Sequence, residues 1–317
     1  PTIMYLAAAG IGEIGIVDFD RVDISNLQRQ IIHNQNDIGK SKAQSAKEKV
    51  LQLNSNVKVN LHEVRLDTTN ALEIFSTYDL IIDCTDNFAT RYLVNDAAAL
   101  LGKPYIWGSI YRFDGQASVF WSKEGPCYRC LHPTPPPAGS VPSCAEGGVL
   151  GVLCGAIGSI QSNEALKLIT GVGNSLLGSL LIYDALDSSY KKVEIKKSTN
   201  CPICNGSQSS LLPDYEEFCG IGETITAQEL RQKSNYLLID VREPVEHAAL
   251  SIPGALLIPM GKFEDGSAFA QIPADKEIIL HCRSGVRSAK CLALLKAAGF
   301  KNSKHLKGGI IAWEESK

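Results

Sequence analysis

The segment His281-Cys282-Arg283-Ser284-Gly285-Val286-Arg287-Ser288 sets one thiol between an apolar run, Glu277 to Leu280, and a helical pattern. The helix is predicted over Ser288 to Ala298 from apolar residues at Ala289, Leu292, Leu295 and Ala298. A cysteine at a strand-to-helix junction faces the backbone N–H groups of the first turn, which favour negative charge. Arg283 and Arg287 add two cations. Together they predict a thiolate at neutral pH, a good nucleophile, in a cradle that also suits an anionic persulfide. A buried cysteine packing as a small hydrophobe is the competing reading. The two arginines and Gly285 weigh against it.

Other cysteines suggest other chemistry. Cys127-Tyr128-Arg129-Cys130 and Cys201-Pro202-Ile203-Cys204 form two knuckles. Four thiolates suit tetrahedral Zn²⁺ in a closed, structural site, although each pair alone could be a redox couple. Turn-like surroundings (Gly125-Pro126 before the first, Pro202 inside the second) favour zinc. The interval between the pairs is long, so the fold must assemble the site. Cys144 lies in the proline- and glycine-rich stretch Val141 to Gly148, which predicts an accessible, reactive thiol. Cys84, Cys154 and Cys291 sit in apolar or helical runs and are expected in cores. Asp18 ends a short apolar strand, where an acid either accepts hydrogen bonds from ribose hydroxyls or is a solvated loop residue.

The elements that must position these residues alternate. Helix is predicted at the opening Pro1 to Gly10, at Ser41 to Leu53 (Ala43, Ala46, Val50 and Leu53 apolar), at Arg91 to Leu101 and at Leu153 to Thr170. Strands are predicted at Ile14 to Phe19, Val57 to Val64, Leu80 to Asp86, Tyr105 to Gly108, Gln116 to Trp121, Leu180 to Asp184 and Lys192 to Lys196. This order argues for an α/β fold: a mostly parallel, doubly wound Rossmann-like sheet, followed by a smaller α/β unit. The expected boundaries are a first domain over residues 1–205, a polar linker over 206–220 and a second domain over 221–317.

At 317 residues, two domains are the natural count. A net charge of −3 gives no reason to expect nucleic acid or an anionic membrane as partner. No apolar stretch reaches spanning length, and no signal-like start is present. Ten cysteines, arranged as knuckles and a loop thiol, fit a reducing, cytoplasmic compartment rather than disulfides.

Cys282 to Arg287 resembles the six-residue active-site loop of rhodanese-type sulfurtransferases. The order of Leu237 to Glu243, His247, Ile252-Pro253-Gly254-Ala255 and Leu306 to Trp313 around it agrees. Residues 1 to about 205 resemble the adenylating enzymes that activate ubiquitin-like proteins, in the bacterial branch serving molybdopterin and thiamine synthesis. The runs that carry this are Asn26 to Gln30, Gly39 to Ala43 and Asp83 to Asn87.

The resemblance implies that Asn26, Arg29 and Lys42 meet ATP phosphates, that Asp86 holds Mg²⁺ and that Asp18 holds ribose. It also implies a transient covalent link from Cys144 to the carrier, a zinc knuckle and a homodimer. These residue types suit attack of a carboxylate on the α-phosphate: Arg29 grips oxygens bidentately, Lys42 is a point charge, and Asp86 offers a hard oxygen. The family's glycine-rich phosphate loop precedes the position of Pro1, and the chain opens inside a helix, so upstream sequence is expected.

The two halves together imply an adenylyltransferase/sulfurtransferase. It would adenylate the C-terminal glycine of a ubiquitin-like sulfur-carrier protein and deliver persulfide sulfur from Cys282, aided by Arg283 and Arg287. Thiosulfate or a cysteine desulfurase would supply the sulfur. A sulfurtransferase whose first domain only docks the carrier is the alternative activity. A non-enzymatic scaffold for a ubiquitin-like partner is the alternative class.

Overall fold

A computed structural model describes residues 1–136, 148–219, 224–273 and 276–316, without the side chains of residues 217 and 315. The described residues divide into two compact units, one holding residues 1–134 and 148–215, the other residues 135–136 and the described residues from 216 onward. Cys144 lies outside the described residues.

The first unit opens with α1 (Thr2–Ala8), which ends before Gly10 at φ 80°. Then come β1 (Glu13–Val17), α2 (Lys42–Leu53), β2 (Lys58–His62), α3 (Ala71–Ser76), β3 (Ile81–Asp83) and α4 (Phe88–Leu100). The Ser41 hydroxyl accepts the Gln44 N–H at 3.2 Å and starts α2. Ala43, Ala46 and Val50 of α2 are buried as their spacing predicts. Leu53, expected on the same face, is exposed because it falls in the fraying last turn.

β1 pairs with β2 in parallel, Ile14 beside Val59 and Ile16 beside Leu61, and β3 pairs in parallel with β4 (Tyr105–Tyr111). Beyond β4 the expected parallel pattern gives way. β5 (Asp114–Phe120), β6 (Ser179–Asp184) and β7 (Ser189–Glu194) add antiparallel, in the order β3-β4-β5-β6-β7. Tight turns join β4 to β5 and β6 to β7, and a turn that short permits only antiparallel pairing. Two further helices complete the unit, α5 (Tyr128–Leu131) and α6 (Gly151–Thr170). Ile157 of α6 joins Ile106, Ala117 and Val119 of β4 and β5 in the core.

After a short helix α7 (Tyr215–Phe218), the second unit runs β8 (Thr224–Ile225), α8 (Ala227–Gln232), β9 (Tyr236–Asp240), α9 (Pro244–Ala249), β10 (Leu256–Leu257) and α10 (Met260–Glu264). It continues with β11 (Glu277–His281), α11 (Val286–Ala297), β12 (Ser303–Leu306) and α12 (Gly309–Glu315). The five strands are all parallel, in the order β10-β9-β11-β12-β8.

A sheet covered on both faces buries alternate residues to opposite sides. Ile278, Leu280 and Cys282 pack on one side with Ile239, Val241 and Leu292. Ile279 packs on the other with Leu230, Leu238, Leu306 and Ile310. Cys282 thus emerges at the carboxyl end of the central strand, where open α/β sheets place their ligands. Among the described residues no helix is long and apolar enough to cross a membrane.

Candidate active sites

The thiol of Cys282 is almost wholly buried, 1% exposed, in the floor of a loop whose rim residues Arg283 and Ser284 are exposed. Gly285 adopts φ +98°, a left-handed value that glycine takes without strain, and caps α11. This turn swings the Gly285 N–H onto the sulfur at 3.2 Å. The Ser288 hydroxyl lies 3.6 Å from the same sulfur. The donors facing the sulfur are therefore a backbone amide and a hydroxyl at the start of a helix.

A second glycine holds the loop from beneath. Gly309 sits at φ +60°, and a Cβ there would lie 2.5 Å from the Cys282 carbonyl oxygen and 2.6 Å from Arg283 backbone atoms. Ile310 and Ile311 donate their N–H groups to the Cys282 and Arg283 carbonyls at 2.8 and 3.2 Å. The run Leu306 to Trp313 is therefore the platform for the thiol loop.

The two arginines of the loop have different surroundings. Arg287 grips Glu246 with both terminal nitrogens at 2.7 Å, so its hydrogen bonds go to a carboxylate and not to sulfur. The guanidinium in turn holds the Glu246 carboxyl down to about 2. Arg283 is exposed, with no side-chain hydrogen bond or ion pair among the described residues. Behind the loop, the buried Asp240 carboxylate receives Arg242 at 2.6–3.1 Å and His247 Nδ1 at 2.8 Å. Burial is opposed by these partners, and the Asp240 carboxyl stays below its ordinary value. His281, wholly buried 3.8 Å from Asp240, is pushed down to about 4 by desolvation and is neutral at pH 7.

In the first unit, β1 and α2 bring Asp18, Asp20 and Lys42 together. Asp18 accepts the Asp20 N–H at 2.9 Å, and Lys42 Nζ donates to Asp20 Oδ2 at 2.8 Å. Burial raises the Asp18 carboxyl above its usual value. Asn26 is buried, its Oδ1 capping a single 3₁₀ turn by accepting the Asp23 N–H at 3.0 Å. Arg29 donates to the Ser25 carbonyl at 2.9 Å.

Asp86 is exposed in the turn between β3 and α4. It makes no side-chain hydrogen bond or ion pair among the described residues, and a free carboxylate is the hard donor that magnesium takes. Arg91 braces that turn by donating twice to the Thr85 carbonyl, at 3.0 and 3.3 Å. No hydrogen bond or ion pair among the described residues joins Asp86, Asn26 or Arg29 to the Asp18–Lys42 group.

The two knuckles do meet. Cys127 Sγ lies 3.9 Å from Cys130 and 3.4 Å from Cys201, and Cys130 Sγ lies 3.5 Å from Cys204. All four sulfurs fall within 4.8 Å of one another. Tetrahedral Zn–S bonds of about 2.3 Å put sulfurs about 3.8 Å apart, so the four residues fit that ion. Arg129, between the first pair, is clamped bidentately by the buried Asp96 at 2.8 and 2.7 Å. Asp96 also receives Tyr215 at 2.7 Å and Gln208 at 3.1 Å. Of the cysteines expected in cores, Cys291 is buried, Cys154 is half-buried and Cys84 is exposed. Cys84 lies one residue past the end of β3, with its sulfur 3.6 Å from Gln161 Oε1 of α6.

Sequence reasoning gave no role to Ser288, His305, Glu246 or Gly309. Ser288 was visible as a hydroxyl in the first turn of α11. The others depend on strand register and helix packing, which no local pattern reports.

These features define an α/β protein with an adenylating-type first domain, a four-thiol knuckle and a second domain that sets a thiol against the donors of a helix start. The ThiF family matches residues 1–203, and the rhodanese-like domain matches residues 225–316. The chain belongs to the ThiF family and carries a rhodanese-like domain at its carboxyl end. It is 54% identical, over 99% of its length and 83% of the relative's, to "Probable adenylyltransferase/sulfurtransferase MoeZ" of Mycobacterium tuberculosis. It is 51% identical to "Sulfur carrier protein adenylyltransferase" of Thermus thermophilus, covering 70% of this chain and 84% of that protein. It is 39% identical to "Adenylyltransferase and sulfurtransferase MOCS3" of Drosophila ananassae, covering 99% and 75%. The crystal structure of Escherichia coli MccB with ATP shares the fold, with a TM-score of 0.55 at 19% identity over 64% of this chain and 62% of that one.

Proposed function

We propose that the chain is an adenylyltransferase/sulfurtransferase that converts the terminal carboxylate of a ubiquitin-like sulfur-carrier protein to a thiocarboxylate. The carrier's carboxylate oxygen attacks the α-phosphorus of ATP and pyrophosphate leaves. Lys42, Arg29 and Asn26 meet the phosphates, Asp18 takes the ribose hydroxyls, and Asp86 would hold Mg²⁺. When bound, that ion neutralises charge developing on the phosphate oxygens. Lys42 and Arg29 first exchange their present partners, Asp20 and the Ser25 carbonyl, for phosphate.

The second stage belongs to Cys282. Its thiolate attacks the outer sulfur of thiosulfate, whose S–S bond breaks to release sulfite, or the outer sulfur of a cysteine-desulfurase persulfide, which releases the desulfurase thiolate. The terminal sulfur of the persulfide then attacks the acyl-adenylate carbon, and AMP leaves. A reducing thiol attacks Cys282 Sγ in the resulting acyl disulfide, so the S–S bond breaks and the carrier departs as thiocarboxylate. Splitting the transfer this way replaces one difficult step by easier ones. The reading rests on the Gly285 N–H pointing at Cys282 Sγ from 3.2 Å, a donor placed for anionic sulfur.

Cys144 is assigned a transient link to the carrier, and Cys127, Cys130, Cys201 and Cys204 a structural zinc. The working unit is a cytoplasmic homodimer, with an adenylating domain over residues 1–205, a connector over 206–220 and a sulfur-transfer domain over 221–317.

Cys282→Ala tests the two-site reading. In the full-length protein it should abolish thiosulfate:cyanide sulfur transfer and leave carrier-dependent ATP–pyrophosphate exchange at the wild-type rate. Loss of both activities in a folded variant would rule out two separable sites. Absence of exchange in the wild type would leave a sulfurtransferase that only docks its carrier.

A further inference from the structure

We propose that His305 is a positioning residue for the sulfur chemistry, acting on Cys282 through the hydroxyl of Ser288. This rests on the assignment of Cys282 as the sulfur carrier. The strand register sets it up. β12 pairs with β11 so that His305 stands beside Leu280, two residues before the thiol. His305 Nδ1 lies 3.4 Å from Ser288 Oγ, which lies 3.6 Å from Cys282 Sγ and 3.0 Å from the Gly285 carbonyl. Ser288 is wholly buried, and Cys282 and His305 are 1% and 4% exposed, so the three side chains meet away from bulk solvent.

A serine hydroxyl has one hydrogen and accepts through two lone pairs. Gly285 O can only accept, and so can a sulfur anion. If His305 Nδ1 were also an acceptor, three groups would compete for one hydrogen. With the Nδ1–H tautomer one competitor drops out, because the imidazole donates to Oγ and leaves the hydroxyl hydrogen to Gly285 O or to the sulfur. The hydrogen has two resting places. It sits on Gly285 O, the shorter contact, while the sulfur is a neutral thiol. It turns to sulfur when the sulfur is a thiolate or persulfide, because a bond to a charged acceptor is the stronger. The donation from His305 polarises the hydroxyl in the same direction. Ser288 thus offers an anion-dependent hydrogen bond, and His305 fixes its direction.

A serine that only satisfies the helix would bond Gly285 O and ignore the sulfur, so the test must read the sulfur. The rate of Cys282 alkylation by iodoacetamide against pH reports the thiol pKa in the whole chain. Removing a donor to the anion disfavours the anion, so Ser288→Ala and His305→Leu should each raise that pKa, by about one unit. Turnover with thiosulfate and cyanide should fall about tenfold through kcat, with KM for thiosulfate unchanged.

Ser288→Thr keeps the hydroxyl and should restore both values. His305→Asn places a neutral N–H where Nδ1 stood and should do the same, which separates hydrogen bonding from any imidazolium charge. The other charged and titratable groups near the loop, Arg283, Arg287 with Glu246, His281 with Asp240, and Cys291, are unchanged in all four variants. His305→Leu in a Ser288→Ala background should add nothing further. Folded variants that keep the wild-type alkylation profile would overturn the proposal, as would additive effects of the two substitutions. If the wild type transfers no sulfur, the assigned activity falls, while the alkylation profile still decides the role of Ser288 and His305.

Discussion

Glu246 and Arg287 show how much one residue's role depends on its partner. Arg287 is spaced to face Cys282, yet its two terminal nitrogens are spent on Glu246, 41 residues earlier in the chain. The Glu246 carboxyl is held at about 2, below its unfolded value near 4.3, so the pair adds stability above the unfolded value. That stability is lost as pH falls through the folded value. Both groups are about a third exposed, which limits the contribution to ~1 kcal/mol or less. Glu246→Gln should therefore lower urea stability slightly near neutral pH, and the gap from wild type should shrink as pH drops from about 5 to about 2.5. A gap that stayed constant across that range would mean the ion pair is not its source. The motif was legible at Cys282 because thiol, glycine and cations lie within six positions. Glu246 was not, since nothing local links α9 to α11.

Elements were largely readable, and their limits have a physical source. Apolar spacing located α2, a long apolar run located α6, and short apolar or alternating runs located most strands. The direction in which β5, β6 and β7 join the sheet was missed, because one strand's periodicity is the same in either orientation. The paired glycines Gly308 and Gly309 at the start of α12 have no evident reason in the local pattern. The reason is steric: Gly309 lets the α12 start press against the backbone of the thiol loop. Gly309→Ala should cost about 1–3 kcal/mol, from left-handed strain plus collision with Cys282 O, and should depress thiosulfate:cyanide turnover. Gly299→Ala is the control. At φ +97°, with nothing within 4 Å of its Cβ, it should lose stability by strain and keep turnover. Equal loss of turnover in both would show that strain alone, not the loop contact, lowers activity.

At the scale of the molecule, the four-thiol knuckle gathers distant parts of the first unit. Arg129 lies between two of the cysteines and is locked to Asp96 of α4, and Asp96 also holds Gln208 and Tyr215 beyond the second pair. A bound zinc would therefore tie α5 and the 201–215 segment to the body of the domain. Protein purified under reducing conditions should carry one zinc per chain. Stripping it with a chelator and a mercurial, then removing the mercurial, should lower the melting temperature of the first unit and leave thiosulfate:cyanide transfer intact. Metal analysis that found no zinc in the purified protein would remove the site.

The sequence by itself determined the chemistry available: a thiol before a glycine-started helix, two cysteine pairs, and acids and cations in adenylating order. Those signals are local, since spacing along a strand or helix dictates which side chains share a face. Tertiary structure decided which groups meet. The parallel register set His305 and Asp240 at the carboxyl end of β11, and helix packing gave Arg287 to Glu246. The fold alone brought Cys127 and Cys130 to Cys201 and Cys204. Contacts between residues far apart in sequence arise from burial and strand pairing over the whole domain, and no short stretch of chain encodes them.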